Sequence, residues 1–369
     1  MSAIRSRVVL VLGLSVFCIG FAALSVECVR VLGVRSNGFS SLRRRRHQLS
    51  TEFPAKEDVI EMAILSHLVY KFRGQTDCNS VSPGNPILPP DVQCHFYRHD
   101  LMEGTQVLVL SNAEKHYLAI VFAGTDDLRT TLADGDIFMK PFGSSTNNET
   151  GLLPGRVHAG FDNSVFKHGL DQTIRDIVSK EIKPDYRIFT TGHSLGAADA
   201  ILVAADLVLT QNRKVTSINF GCPKIGNYEF IQAMNSLDNL HVWRFVWGWD
   251  LVPRLPAYPF EHVGHTIQMT RNETKVYYQH NGNATLNFVG VPAGWGATPF
   301  VWVPGAMSSH RMVKYLEHLQ DPTTELDLHR FETMSDVPII DDDDFHINPP
   351  DDFISSFNGN DMTQFSKEE

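Results

Sequence analysis

Runs of apolar residues alternate with helix-spaced patterns through most of this chain. Val107-Leu108-Val109-Leu110 and Tyr117-Leu118-Ala119-Ile120-Val121-Phe122 are short and continuously apolar, which predicts strands buried on both faces. Tyr186-Arg187-Ile188-Phe189-Thr190-Thr191, Val215 to Phe220 and His241 to Val246 read the same way. Between them lie helical patterns. Pro54 to Phe72 carries Val59, Met62, Ala63, Leu65, Leu68 and Val69 at helical spacing. His158 to Val178 is mixed and then helical, Leu195 to Ala205 is apolar with alanines, and Met312 to Leu319 is a short last helix. Strands that alternate with helices predict an α/β domain with a mainly parallel sheet covered on both faces.

The ends of the chain differ from this middle. Arg5 and Arg7 precede an apolar run from Val8 to Val26, which reads as a signal sequence or a membrane anchor. The small-x-small step Ala23-Leu24-Ser25 permits cleavage after Ser25, and either reading sends the chain into the secretory pathway. Arg43-Arg44-Arg45-Arg46 reads as a processing site or as a solvated basic linker. The net charge of −10 is concentrated at the other end. From Asp321 to Glu369 there are fourteen acidic and two basic residues, a net of −12, so the rest of the chain is near neutral at +2. A near-neutral body argues against a nucleic-acid surface. The acidic tail reads as solvated and disordered. The organisation is thus a targeting and linker segment over 1–50, one α/β domain over 51–320, and a tail over 321–369. With 43% apolar residues, the middle can bury a large core as one domain.

Candidate chemistry sits between the third of these predicted strands and its helix. Gly192-His193-Ser194-Leu195-Gly196 reads Gly-x-Ser-x-Gly in a strand–turn–helix context, the setting of a nucleophile elbow. A serine hydroxyl is a weak nucleophile and needs a base that is oriented by a carboxylate. In elbow enzymes the order along the chain is serine, acid, histidine. Asp250 directly follows the strand-like 241–246 and lies where open α/β sheets gather active-site residues; Asp238 reads as a turn. For the base, spacing favours His310, at the start of the last helix, over His262; His265 and His280 are further candidates. His193 lies inside the elbow, where it cannot easily turn back onto its neighbour. An oxyanion needs donors, and the amide of Leu195 and the Ala123-Gly124-Thr125 turn supply them.

Taken together these segments resemble the class 3 lipases, the fungal triacylglycerol lipase family. The resemblance rests on the elbow and on Val121-Phe122-Ala123-Gly124-Thr125, Val157-His158-Ala159-Gly160-Phe161 and Phe220-Gly221-Cys222-Pro223-Lys224-Ile225-Gly226-Asn227. It continues through Asp250-Leu251-Val252-Pro253-Arg254-Leu255-Pro256 and through His310 with Tyr315, and spans about residues 55–320 in order. Ala123 stands where the family often has arginine, Thr131 where tryptophan is frequent, and Ala197 where a second glycine follows the elbow.

The resemblance implies an α/β-hydrolase fold, a triad of Ser194, Asp250 and His310, and an oxyanion hole of Thr125 and Leu195. His262 then becomes a structural histidine. It also implies hydrolysis of lipid esters at a lipid–water interface, acylglycerols first, with no metal or organic cofactor. The alternatives are a phospholipid, galactolipid or feruloyl ester as substrate, and, from another class, a catalytically silent lipid-binding protein. A lid is expected over Gly135 to Arg156, with Ile137, Phe138, Met139 and Phe142 among its apolar residues. Cys78 and Cys94 flank a Pro/Gly-rich loop and can form a disulfide in an oxidising compartment. Asn148, Asn272 and Asn283 lie in glycosylation sequons.

Overall fold

A computed structural model describes residues 53–81, 88, 91–100, 105–125, 138–143, 151–248, 250–256, 259–269, 274–278 and 308–321. By internal contacts the chain divides into Met1–His47 and Gln48–Glu369, and every described residue lies in the second unit. The apolar run at 8–26, the Arg43–Arg46 cluster, the three sequons and most of the acidic tail lie outside the described residues.

In chain order the elements are α1 (Lys56–Leu68), β1 (Val92–His99), β2 (Gln106–Asn112), β3 (Tyr117–Ala123), β4 (Met139–Lys140) and β5 (Val157–His158). Then come α2 (Ala159–Phe166), α3 (Leu170–Glu181), β6 (Arg187–His193), α4 (Leu195–Gln211), β7 (Val215–Phe220), α5 (Tyr228–Asn235) and β8 (Leu240–Trp247). The last are β9 (His265–Met269), β10 (Thr274–Tyr278) and α6 (Met312–Gln320). One sheet of eight strands runs β1-β2-β3-β6-β7-β8-β9-β10. The pairs from β3 through β6, β7 and β8 to β9 are parallel, while β1–β2, β2–β3 and β9–β10 are antiparallel. This is the α/β-hydrolase arrangement, a mainly parallel sheet with helices on both faces.

The alternation of side chains along each strand builds two cores. Val107 and Val109 of β2, with Leu118, Ile120 and Phe122 of β3, face α2, α3 and α4. Leu108 and Leu110, with Ala119 and Val121, face α1 and α6. Both faces are covered, so β2 and β3 are buried at every position and read as unbroken apolar runs. α4 lies deepest, with fourteen buried residues from Leu195 to Val208. By contrast α3 buries only Leu170, Ile174 and Val178, one stripe at helical spacing, and turns its charges outward. The anticipated disulfide joins Cys78, in the turn Cys78–Val81, to Cys94 of β1 across 16 residues. It ties the segment after α1 to the sheet edge and contributes about 3 kcal/mol by restricting the unfolded chain.

Candidate active site

The elbow forms because β6 ends at His193 and α4 begins at Leu195, leaving one residue for the turn. That residue is Ser194, with φ 60° and ψ −130°. A side chain in this left-handed region is strained, and the surrounding structure holds it there. The flanking glycines are required by close approach. A Cβ on Gly192 would lie 2.4 Å from the Gly196 carbonyl oxygen, and one on Gly196 would lie 2.5 Å from that of Ala123. The Ser194 amide is in turn anchored to the Phe220 carbonyl at 3.0 Å.

Asp250 and His310 reach the same point from different directions. Asp250 lies three residues beyond the end of β8, fully buried, with its amide donating to the Trp247 carbonyl at 3.1 Å. His310 lies two residues before α6. Its Nδ1 lies 2.8 Å from Asp250 Oδ2 and 3.0 Å from Oδ1, and its Nε2 lies 2.8 Å from Ser194 Oγ. An ionised carboxylate only accepts, so Nδ1–H donates to Asp250; the bare Nε2 then accepts the Ser194 hydroxyl proton. β7 must let this pair through. Gly221, just past its end, has φ +59°, and a Cβ there would sit 2.8 Å from Asp250 Oδ2 and 3.0 Å from His310 Cε1.

Burial alone would push the Asp250 carboxyl up. The neighbouring His310 ring, with hydrogen bonds from His310, Tyr315 and the Val252 amide, outweighs burial and holds the carboxyl below its ordinary range. Tyr315 O–H donates to Oδ2 at 2.5 Å and Val252 N–H to Oδ1 at 2.9 Å. Asp250 is thereby kept ionised and fixed in orientation, as an acid behind a histidine base must be.

On the oxyanion side, Leu195 opens α4, where the first amides of a helix have no partner within it. Thr125 follows Gly124, and Gly124 approaches the elbow so closely that a Cβ on it would lie 2.8 Å from Ser194 Cβ. The arrangement can deliver a hydroxyl nucleophile with its base and acid, beside backbone donors at a helix start.

The family model described as Lipase (class 3) matches residues 119–260, which take in β3, the oxyanion turn, the elbow and Asp250. Over this stretch, well under half of its length, the chain is similar to the class 3 lipases. A lipase of Caenorhabditis elegans is 34% identical over 146 residues, covering 38% of each chain. Phospholipase A1-IIbeta of Arabidopsis thaliana is 32% identical over 119 residues, covering 30% of this chain and 29% of its own. The chain thus spans well under half the length of these two curated relatives. A solved structure titled as a triacylglycerol lipase whose catalytic centre is a serine protease triad superposes with a TM-score of 0.50 at 25% identity, covering 64% of this chain and 90% of that one.

The other residues singled out from sequence lie apart from the Ser194–His310–Asp250 triad. His262 is buried and its Nε2 bonds the Pro253 carbonyl at 2.5 Å, bracing the loop that follows Asp250; burial drives its pKa well down. Asp238 lies in an exposed turn between α5 and β8, and His265 is buried at the start of β9 with its ring 4.6 Å from that of Trp243. His280 lies outside the described residues, as does Ile137. Phe138, just before β4, is 66% exposed, and Met139 is half-buried in β4, which pairs with β5. Phe142 corrects the expected lid. It is fully buried, with its ring 5.3 Å from those of both Phe166 and Phe230, and belongs to the core. The chain turns inward there because Gly143 N–H donates to Asp162 at 2.6 Å and Leu152 N–H donates to the Phe142 carbonyl at 2.9 Å.

Cys222 is buried and free, its thiol pushed up to about 12 by desolvation, and so is unsuited to act as a nucleophile. Tyr315, which the sequence marks only as part of the final histidine segment, braces the Asp250 carboxylate. Its position in the first turn of α6, on the side of the buried Met312, was the available signal.

Proposed function

We propose that the protein hydrolyses carboxylic esters of lipids through an acyl-enzyme on Ser194. The observation that carries this is the continuous hydrogen-bonded chain Ser194–His310–Asp250. Ser194 Oγ attacks the ester carbonyl carbon as His310 Nε2 takes its proton. The carbonyl oxygen becomes an oxyanion beside the Leu195 and Thr125 amides. His310 then returns the proton to the leaving alcohol as the acyl–O bond breaks. Water enters, His310 takes its proton, and the acyl group leaves as a fatty acid, restoring the Ser194 hydroxyl. Asp250 holds the histidine tautomer and stabilises its charged form. No step needs a metal or organic cofactor.

Acylglycerols are the first substrate class, supported by the likeness to a solved triacylglycerol lipase. A phospholipid ester is the second reading, favoured by the phospholipase A1 relative. Entry into the secretory pathway, and release after cleavage near Ser25, are supported by the arginine-flanked apolar run and by the Cys78–Cys94 disulfide. An anchor retained over 8–26 is the alternative, and a mature N-terminus at Met1 would overturn cleavage.

Ser194→Ala tests the chemistry. Hydrolysis of a short-chain nitrophenyl ester should fall by about 10⁴-fold or more with the fold intact by circular dichroism. Activity retained in that variant refutes the mechanism. Release assays across triacylglycerol, phospholipid, galactolipid and feruloyl esters rank the substrates.

A further inference from the structure

His193 stands next to the proposed nucleophile, yet the reaction as derived gives it no task. Its ring is buried, and both nitrogens are engaged. Nε2 lies 2.6 Å from the backbone carbonyl oxygen of His310, and Nδ1 lies 2.8 Å from the hydroxyl of Tyr70. That hydroxyl also accepts the Gly124 N–H at 2.8 Å. Gly124 directly precedes Thr125, so the contacts run from the oxyanion turn to the backbone of the proposed base.

The direction of each bond follows from what the atoms are. A carbonyl only accepts, so His193 Nε2 carries the hydrogen. A neutral ring then leaves Nδ1 bare, and Tyr70 must donate its proton to it. The Tyr70 oxygen is left with lone pairs, one of which takes the Gly124 N–H. The ring stays neutral because desolvation, reinforced by the adjacent His310, drives its pKa down to about 3. The polarity is therefore single: Gly124 N–H to Tyr70 O–H to His193 to the carbonyl of His310.

There is little slack in this arrangement. A Cβ on Gly124 would meet Tyr70 Oη at 2.6 Å, and the rings of His193 and His310 lie with centroids 4.5 Å apart. Arg73 holds the far side, donating to the Gly124 carbonyl at 3.2 Å with its guanidinium 5.1 Å from the Tyr70 ring centroid.

We propose that Tyr70 and His193 are positioning residues, a directed hydrogen-bond chain that fixes the oxyanion turn and the backbone of His310 relative to each other across Ser194. The proposal rests on the serine-hydrolase reading above. Tyr70 comes from the segment after α1, so four stretches far apart in sequence, at 70, 124, 193 and 310, are tied together. Such a tie matters because the oxyanion donors act within a few tenths of an ångström, and a misplacement of about 1 Å can cost about 10²-fold.

The test is steady-state hydrolysis of p-nitrophenyl butyrate by the full chain and by Tyr70→Phe, His193→Gln, His193→Leu and the double variant Tyr70→Phe/His193→Gln. Thermal melts and fluorophosphonate labelling at Ser194 accompany the kinetics. Tyr70→Phe should lower kcat about 10- to 100-fold with KM within about 3-fold, since the donors it places act on charge present only in the transition state. His193→Gln, whose amide N–H can still reach the His310 carbonyl, should recover several-fold over His193→Leu. The double variant should fall no more than about 3-fold below the worse single, because both changes interrupt one chain. If Tyr70→Phe does not fold, the His193→Gln and His193→Leu pair decides by the same kcat recovery. A kcat within about 3-fold of wild type in folded variants overturns the proposal. So do losses that multiply in the double variant, or a lowered melting temperature with kcat per folded molecule unchanged. Failure of wild type to label at Ser194 overturns the serine-hydrolase reading itself, whereas labelled wild type with unaffected variants overturns the positioning chain alone.

Discussion

The two ends of the parallel strands are built in opposite ways. Beyond the carboxyl ends of β6, β7 and β8 lie Ser194, Gly221 and Asp250, met there by His310 and Tyr315. At the amino ends of the same three strands lies a cleft of about 410 Å³, lined by residues that include Phe53, Tyr186, Arg187, Lys214, His241 and Trp243. This cleft is at the end with no nucleophile bonded to a base among the described residues. It is walled by aromatic contacts, such as Phe53 against Trp243 at 5.2 Å, and edged by the Arg187–Asp58 ion pair. The carboxyl end instead concentrates buried polar groups whose hydrogen bonds are directed at one hydroxyl. A cleft alone does not mark a reaction site, because a reaction needs aimed donors and acceptors before it needs space. Strand direction points to the other end, since loops leaving the carboxyl ends converge there.

Changes at the two ends should therefore fail differently. Asp250→Asn carries the largest expected effect. The amide no longer offers a charged acceptor to His310 Nδ1–H, so the ring loses the tautomer and the charge stabilisation that make it a base. We expect kcat to fall about 10⁴-fold with little loss of folded protein. Kinetics of nitrophenyl ester hydrolysis, set beside near-ultraviolet circular dichroism, checks this. A fall of less than about 10-fold would mean that Asp250 is not the orienting acid.

Why this end was partly legible in sequence is a matter of which signals are local. Ser194 announces itself, because a one-residue turn between β6 and α4 leaves no alternative to glycine at 192 and 196. Asp250 could be read because it follows an apolar strand directly. His310 could only be favoured over His262, since both follow Asp250 and nothing nearby states which one folds back. Tyr70 was beyond reach: its partner His193 is 123 residues away, and on a helical pattern it is one more aromatic residue. The same logic explains the strands. β2 and β3 are buried at every position and read as apolar runs, whereas β6, β7 and β8 read as strands through apolar residues interleaved with buried polar ones such as Thr191, Asn219 and Arg244. β1 is an edge strand with mixed burial, and β9 buries His265, Thr266 and Gln268, polar residues that composition does not assign to a strand interior. Arg244 on β8 makes that burial tolerable, bonding Thr266 and donating to the Val263 carbonyl at 2.7 Å. Phe142 misled because an apolar residue among glycine, serine and asparagine resembles a lid face, whereas tertiary packing draws it into the core.

At the amino end, Trp243→Ala should cost stability and leave chemistry alone. Trp243 is buried between Phe53 and the His265 ring, the latter at 4.6 Å. Removing so large a side chain forfeits about 3–5 kcal/mol through lost burial and the cavity left behind. Urea denaturation should show that loss, with kcat/KM per folded molecule unchanged within about 3-fold. A drop of more than about 10-fold in a still-folded variant would show that the two ends are mechanically coupled and that the comparison is too simple.

The smallest effect probes whether buried polarity near the chemical end is itself catalytic. Asp199 lies in the second turn of α4, fully buried, with Ser164 Oγ 2.6 Å from its Oδ1. The same Oγ lies 2.7 Å from the Phe161 carbonyl oxygen, which only accepts. One hydroxyl has one proton to share between two acceptors, so both contacts are satisfied together only when Asp199 is protonated. Burial agrees, pushing its pKa up to about 8 against the Ser164 hydrogen bond that lowers it. The folded state then holds one more proton than the unfolded chain between the ordinary carboxylate pKa of 3.8 and about 8. Stability from this group is complete below that window and declines as pH rises through it, on the order of 1 kcal/mol per pH unit. Asp199→Asn keeps an N–H donor for Ser164 and removes the titration. Its urea midpoint should exceed that of wild type by a margin that grows from pH 5 to pH 8, while nitrophenyl ester turnover per folded molecule stays the same. Parallel pH dependences in the two proteins would mean that Asp199 is ionised in the fold. A large loss of turnover would move it from the packing of α4 against α2 into the machinery around Ser194.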